Sequence, residues 1–254
     1  MYQQPHYQPY PQQMPPAGPR VQPGALVGVS VWRALIVASA FIGFFGAMSR
    51  GRAATLLTAL SQQASLLVGI VYIGLLLYPL FTGGSRHEPR SAWWRGAMVI
   101  LLVLVCVTYL TIIGGSLNSA WSLFEHLITP LLVLIDFLAV GRNQAAVKWW
   151  HPITWLAFPL AYLIYYVSAG LRIYGSFLNP DRSSFPGVVA GFIAALLALG
   201  FLLFAFGKIK KSAARQAQPG WPQPPYPPQR HPRQHYPQPY PPQPVPPPDY
   251  RSNG

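Results

Sequence analysis

The sequence predicts an all-α membrane protein, a bundle of six transmembrane helices with disordered Pro-rich N- and C-terminal tails. Three observations carry this. The 254 residues hold only 18 Lys and Arg and 5 Asp and Glu, while 52% are hydrophobic; a soluble domain is about one-quarter charged. Twenty-two of the 29 prolines fall in residues 1–27 or 219–254. Between them lie runs of about 20 apolar residues, the length that crosses the hydrocarbon core. This composition excludes an ordinary water-soluble globular enzyme.

Residues 1–25 are rich in Pro, Gln and Tyr, with no aliphatic periodicity that could close a core, so they are expected to be disordered with polyproline II character. The membrane domain follows over 26–210. Its six expected spans are 26–48, 55–81, 96–114, 120–140, 153–172 and 186–207, with at most one interior charge in each except the fourth, which holds Glu125 and Asp136. Arg33, inside the first run, is expected to snorkel toward the headgroups. The linker at 82–95 and the Gly-, Asn-Pro- and Ser-bearing loop at 173–185 carry turn chemistry. Trp93, Trp94, Trp149, Trp150 and Tyr174 mark span ends, as interfacial aromatics do. Residues 211–254 begin basic and then become Pro-rich, a second disordered tail. Its Pro247-Pro248-Asp249-Tyr250 stretch has the shape of a peptide that docks in an aromatic groove.

Placing both termini in the cytoplasm leaves ten of the Lys and Arg near the spans inside and four (Arg50, Arg52, Arg172 and Arg182) outside, the polarity that positive-inside orientation requires. A cell-membrane location with both termini cytoplasmic is therefore expected. The net charge of +13 is accounted for by topology and attraction to anionic lipid, with no need for nucleic acid. A single cysteine, Cys106, excludes an intrachain disulfide and a Cys-based zinc site. Only His126 lies well inside a span, so paired haem ligands are lacking; no metal and no cofactor are expected. A signal peptide is not expected either, because 24 polar residues precede the first apolar run.

Polar side chains inside spans are where function is sought, since each is costly to bury in lipid. Thr58, Ser61, Gln62 and Ser65 recur at helical spacing and are expected on one face of the second span. In the fourth, Glu125, Thr129 and Asp136 form one stripe with His126 on its flank, and Pro130 is expected to bend the helix. With both termini inside, the second and fourth spans both start at the outer face. Thr58 and His126 then lie at similar depth near the outer leaflet, where a hydroxyl and an imidazole can meet. Asp136 lies about 15 Å further along the helix and cannot orient that ring. Tyr162 in the fifth span and Arg172 at its outer end complete the supporting polar set, with Ser61, Gln62, Glu125 and Asp136.

Three segments carry a resemblance to a known family. They are Leu57-Thr58-Ala59-Leu60-Ser61-Gln62, then Glu125-His126-Leu127-Ile128-Thr129-Pro130 with Asp136, and Trp155-Leu156-Ala157-Phe158-Pro159-Leu160-Ala161-Tyr162. With the two tails and six spans, they resemble the proline-rich six-span family of bacterial membrane proteins, itself similar to the androgen-induced protein family of eukaryotes. That resemblance implies a membrane hydrolase of fatty acid esters of hydroxy fatty acids, with Thr58 as nucleophile and His126 as general base.

Two readings of function stand side by side. In one, the chain is an intramembrane lipid-ester hydrolase that takes its substrate sideways from the bilayer. In the other, it is a non-enzymatic membrane scaffold whose Pro-rich tails recruit cytoplasmic or envelope proteins. Membrane lipids are partners in both.

Overall fold

The computed structural model describes residues 22–51 and 57–216. Both expected Pro-rich tails, apart from their innermost residues, lie outside the described residues, as does the start of the expected second span at 55–56. The helices are α1 (Pro23–Met48), α2 (Leu60–Phe81), α3 (Trp93–Ile113), α4 (Ala120–Val140), α5 (His151–Thr154), α6 (Ala157–Ser168) and α7 (Phe185–Gln216). No strand occurs among the described residues. Five of these helices, α1 to α4 and α7, are long and apolar enough to cross a membrane, as a multi-pass membrane protein requires.

The expected fifth span is divided. Instead of one helix over 153–172, a short α5 precedes α6, with a turn at Trp155 and Leu156. Pro159 explains the break, because its ring clashes with the carbonyl four residues back, that of Trp155, and it offers no N–H to bond it. Pro130 acts differently in α4. The turn before it, Phe124–Ile128, widens to π geometry, so the helix continues through the proline.

The first four helices close a ring in which α1 packs on α2 and α4, and α3 packs on the same two partners. Glycine lets α1 approach α4: a Cβ at Gly46 would lie 2.8 Å from that of Trp121, and one at Gly43 would lie 3.1 Å from that of Glu125. Helix α7 closes on the short segments, with Gly200 against Pro152 and Gly207 against the Gln144 carbonyl. Lys208 donates to the Val147 carbonyl at 2.8 Å.

The polarity of the ring is inverted relative to a soluble bundle. On α1 the exposed residues are Val27, Val31, Leu35, Ile42 and Phe45, whereas Arg33, Ser39 and Gly43 face inward with Ile36 and Ala40. Such an outside matches lipid rather than water. Arg33 corrects the snorkelling expectation: it is 1% exposed. Its guanidinium donates to the Leu75 carbonyl at 3.0 Å and the His87 carbonyl at 2.5 Å, and lies 3.6 Å from Glu88. Inside, the nearby carbonyls and carboxylate supply what the headgroups would have supplied outside.

Arg33 belongs to a buried ion network at one end of the ring. Arg95 bonds Asp136 at 2.7 Å and Glu88 at 3.1 Å, and the Tyr72 hydroxyl donates to Asp136 at 3.1 Å. The Arg142 backbone N–H donates to Glu88 at 2.8 Å. Gly141 makes room, since a Cβ there would fall 1.9 Å from the Arg95 guanidinium.

Candidate functional site

At the opposite end of the ring, the start of α2, the end of α3 and the start of α4 meet α6, the 173–178 loop and the start of α7. They enclose a cavity of about 500 Å³, within the range of roughly 300–1,000 Å³ that encloses a small ligand. Thr58 and His126 both line it, with Ser61, Gln62 and Tyr162. The second and fourth segments thus both contribute to its wall.

Thr58 is placed differently from its expected position. It lies in the turn that precedes α2, because Ala59 is extended at the N-cap with ψ of 137°. It does not share a helical face with Ser61, Gln62 and Ser65. Its carbonyl accepts from the Tyr162 hydroxyl at 2.9 Å, and the Leu60 N–H donates to the Tyr174 hydroxyl at 3.1 Å. Tyr174 thus satisfies an N–H that the first turn of a helix leaves unpaired, and Tyr162 holds the carbonyl of the turn before it. Tyr174 stacks on Tyr166, whose hydroxyl donates to the Leu178 carbonyl at 2.8 Å, so the loop, α6 and the Thr58 turn form one aromatic clamp. Burial holds the Tyr174 phenol above its ordinary value, so it stays a neutral hydroxyl.

His126 is held without a carboxylate. Its ring stacks on Tyr109 with centroids 3.5 Å apart, and Nδ1 lies 3.1 Å from the Ser122 carbonyl one helical turn earlier. A carbonyl can only accept, so Nδ1 carries the proton and Nε2 is the lone-pair nitrogen. The Tyr109 and Ser122 hydroxyls lie 2.9 Å from each other and 2.9 and 2.7 Å from the Ser116 carbonyl, and their two protons serve these three contacts between them. Tyr109 and Ser122 are site residues that sequence reasoning missed. The signal for Ser122 was its position four residues before His126; nothing in the sequence pointed to Tyr109.

The other expected residues divide between the two ends. Gln62 donates to Glu125 at 2.6 Å, and the Ser61 side chain also interacts with that carboxyl. Glu125 is fully buried behind the cavity wall, supporting Gln62 rather than His126. Asp136 belongs to the ion network. Arg172 forms an exposed pair with Asp181 at 2.9 Å and is not among the lining residues. Thr129 bonds Ser39 at 2.6 Å, joining α4 to α1.

Among the described residues, no group of three or more His, Cys, Asp and Glu side chains could hold a metal ion. Chemically, the cavity offers a hydroxyl, an imidazole lone pair and an apolar wall. Comparison with protein-family models, curated proteins and solved structures finds no match to this chain.

Proposed function

We propose that this multi-pass protein is an intramembrane lipid-ester hydrolase in which Thr58 is the nucleophile and His126 the general base. The observation that carries the reading is that both side chains line one apolar cavity while His126 keeps Nε2 as its lone-pair nitrogen. A threonine hydroxyl becomes an effective nucleophile once a base removes its proton. Thr58 Oγ attacks the ester carbonyl as Nε2 takes its proton. The tetrahedral intermediate collapses to an acyl-threonine, and Nε2 returns the proton to the departing alkoxide. Water, deprotonated by the same nitrogen, then releases the acid and restores Thr58.

The proposal extends to topology and family. The stretch from His151 to Ser168 is the sixth crossing; at 1.5 Å per residue it reaches about 27 Å, near the thickness of the hydrocarbon core. With six spans, both termini lie in the cytoplasm and the cavity faces the outer leaflet of the cell membrane. The resemblance to the proline-rich six-span family supports the same assignment, with the Pro-rich tails on the cytoplasmic side.

Purified protein labelled by a fluorophosphonate probe, and turning over a panel of lipid esters, tests the chemistry. Thr58→Ala and His126→Ala are each expected to lower kcat/KM by about 10²- to 10⁴-fold with unchanged thermal unfolding. Absence of both labelling and turnover in folded protein overturns the hydrolase and favours the scaffold, in which the tails recruit partners.

A further inference from the structure

At the ion-network end, cations outnumber the acids that could pair with them. Glu88 and Asp136 are committed to Arg33 and Arg95. Glu125 is buried behind the cavity wall, and Asp181 pairs with Arg172. These are all the carboxylate side chains among the described residues, so Arg142, Lys148, Lys208, Lys210 and Lys211 have no ion-pair partner among them. Three of these ammonium groups are gathered on one short stretch, 138–150. Lys208 donates to the Val147 carbonyl at 2.8 Å and the Ala145 carbonyl at 3.3 Å, and lies 5.0 Å from the centre of the Phe204 ring. Lys210 donates to the Leu138 carbonyl at 3.1 Å. Lys148 stands over the Trp150 ring at 5.7 Å and has no hydrogen-bond acceptor among the described residues. An ammonium carries three donors, so Lys208 keeps one, Lys210 two and Lys148 three for a further anion.

The surroundings say which anion. Trp149, Ile153, Leu202 and Ile209 flank the cations and are exposed. Gly200 against Pro152 and Gly207 against the Gln144 carbonyl seat α7 beside this stretch. Exposed indole and aliphatic side chains next to basic ones mark the boundary between hydrocarbon and headgroups. Nucleic acid or a soluble anion would engage the cations and leave the apolar flank unused. We infer that α7 and the 138–150 stretch form a binding site for an anionic phospholipid, its phosphodiester held by Lys148, Lys208 and Lys210. Leu202 lies six residues before Lys208, about 9 Å nearer the bilayer centre, so the acyl chains run along Leu202 and Ile153. On the orientation proposed above, the site belongs to the inner leaflet. It lies at the opposite end of the ring from Thr58 and His126, and binding there does not depend on the hydrolase.

The test uses the full chain in detergent, mixed with equimolar dioleoylphosphatidylglycerol and dioleoylphosphatidylcholine, which share their acyl chains and differ in net charge. Native mass spectrometry reads how much of each lipid stays bound. Each basic residue beside an anionic headgroup is worth about fivefold in affinity, so phosphatidylglycerol is expected to be retained at least about tenfold over phosphatidylcholine. Lys148→Gln and Lys210→Gln are each expected to lower that ratio about three- to fivefold, and Lys148→Arg to keep it. Arg50, which follows the cavity-lining Ala47 at the other end of α1, provides the control: Arg50→Gln removes one charge and is expected to leave the ratio unchanged. Equal retention of the two lipids overturns the inference. So does an equal loss of preference in Arg50→Gln and Lys148→Gln, which would make net charge the cause. Displacement of the lipid by an equal concentration of glycerol 3-phosphate overturns it too, as a site for a free anion. Lys148 is exposed, so an unchanged ratio in Lys148→Gln counts against the site even if Lys210→Gln fails to fold.

Discussion

The two ends of the helix ring bury polar groups in opposite ways. At the ion-network end, two guanidinium groups, Arg33 and Arg95, are set against two carboxylates, Glu88 and Asp136, with Tyr72 as a further donor. At the cavity end, the wall carries no charge; unpaired polar atoms occur at both ends, with Asp136 Oδ1 and Arg33 Nε at one and Gln62 Oε1 and Trp121 Nε1 at the other. Buried charges persist in apolar surroundings when matched by opposite charges and hydrogen bonds, and such matching fixes geometry. An uncharged, largely apolar wall around open volume is instead the kind of place where a small ligand binds. One end holds the ring together; the other leaves room for chemistry.

The sharpest way to break this comparison is Arg95→Ala, which strips Asp136 and Glu88 of their shared cation. A loss of about 3–5 kcal/mol is expected, as for other broken buried ion pairs, measured as reduced folded fraction in detergent titrations. Gly46→Leu comes next. Its side chain would collide with Trp121, whose Cβ is already within 2.8 Å of the Cβ position, and about 1–3 kcal/mol is expected from overpacking. Tyr72→Phe removes one donor to Asp136 and is expected to cost about 1 kcal/mol, leaving the cavity unaltered because Tyr72 is not among its lining residues.

A weaker effect is expected from His87, in the linker outside the spans. Burial favours its neutral form and lowers its pKa below the usual 6.5, despite Glu88, and with Arg33, Arg142 and Arg95 acting in the same direction as burial. The folded state therefore binds protons less readily than the unfolded chain at this site. Its contribution is fully present above the unfolded value near 6.5 and lost as pH falls through the folded value. His87→Gln is expected to flatten the decline of Tm between pH 7 and pH 5. Smallest of all, Trp121→Phe deletes an N–H that has no protein partner, so ligand-free stability should stay within about 0.5 kcal/mol. A large destabilisation there would mean that the cavity end is held together as the other end is.

Much of the fold was legible because lipid imposes a simple rule on sequence. Runs of about 20 apolar residues mark helices, and the fourth run, 120–140, coincides with α4. The stripe of Glu125, Thr129 and Asp136 is buried as its spacing requires. The divided fifth run was not read because hydropathy is indifferent to where a proline falls, although Pro159 was there to be weighed. Arg33 was misplaced for a related reason. Snorkelling considers one side chain and the bilayer, whereas the linker that brings Glu88 and the His87 carbonyl to it is a tertiary contact.

The candidate site divides in the same manner. Thr58 and His126 were nominated by residue type and by depth along their spans, quantities that a linear hydropathy pattern carries. Whether they shared a wall depended on which helices are neighbours, and that was settled by the glycines that bring α1 against α4 and by Gln62 reaching Glu125. The sequence by itself determined an all-helical apolar protein with its polar residues turned inward, because period and composition are local properties. Only the tertiary structure decided that Asp136 neutralises Arg95, that Tyr109 stacks on His126, and that Glu88 reaches Arg33. Each of these depends on distances between groups that are far apart along the chain or on different faces of it, and such distances have no one-dimensional signature.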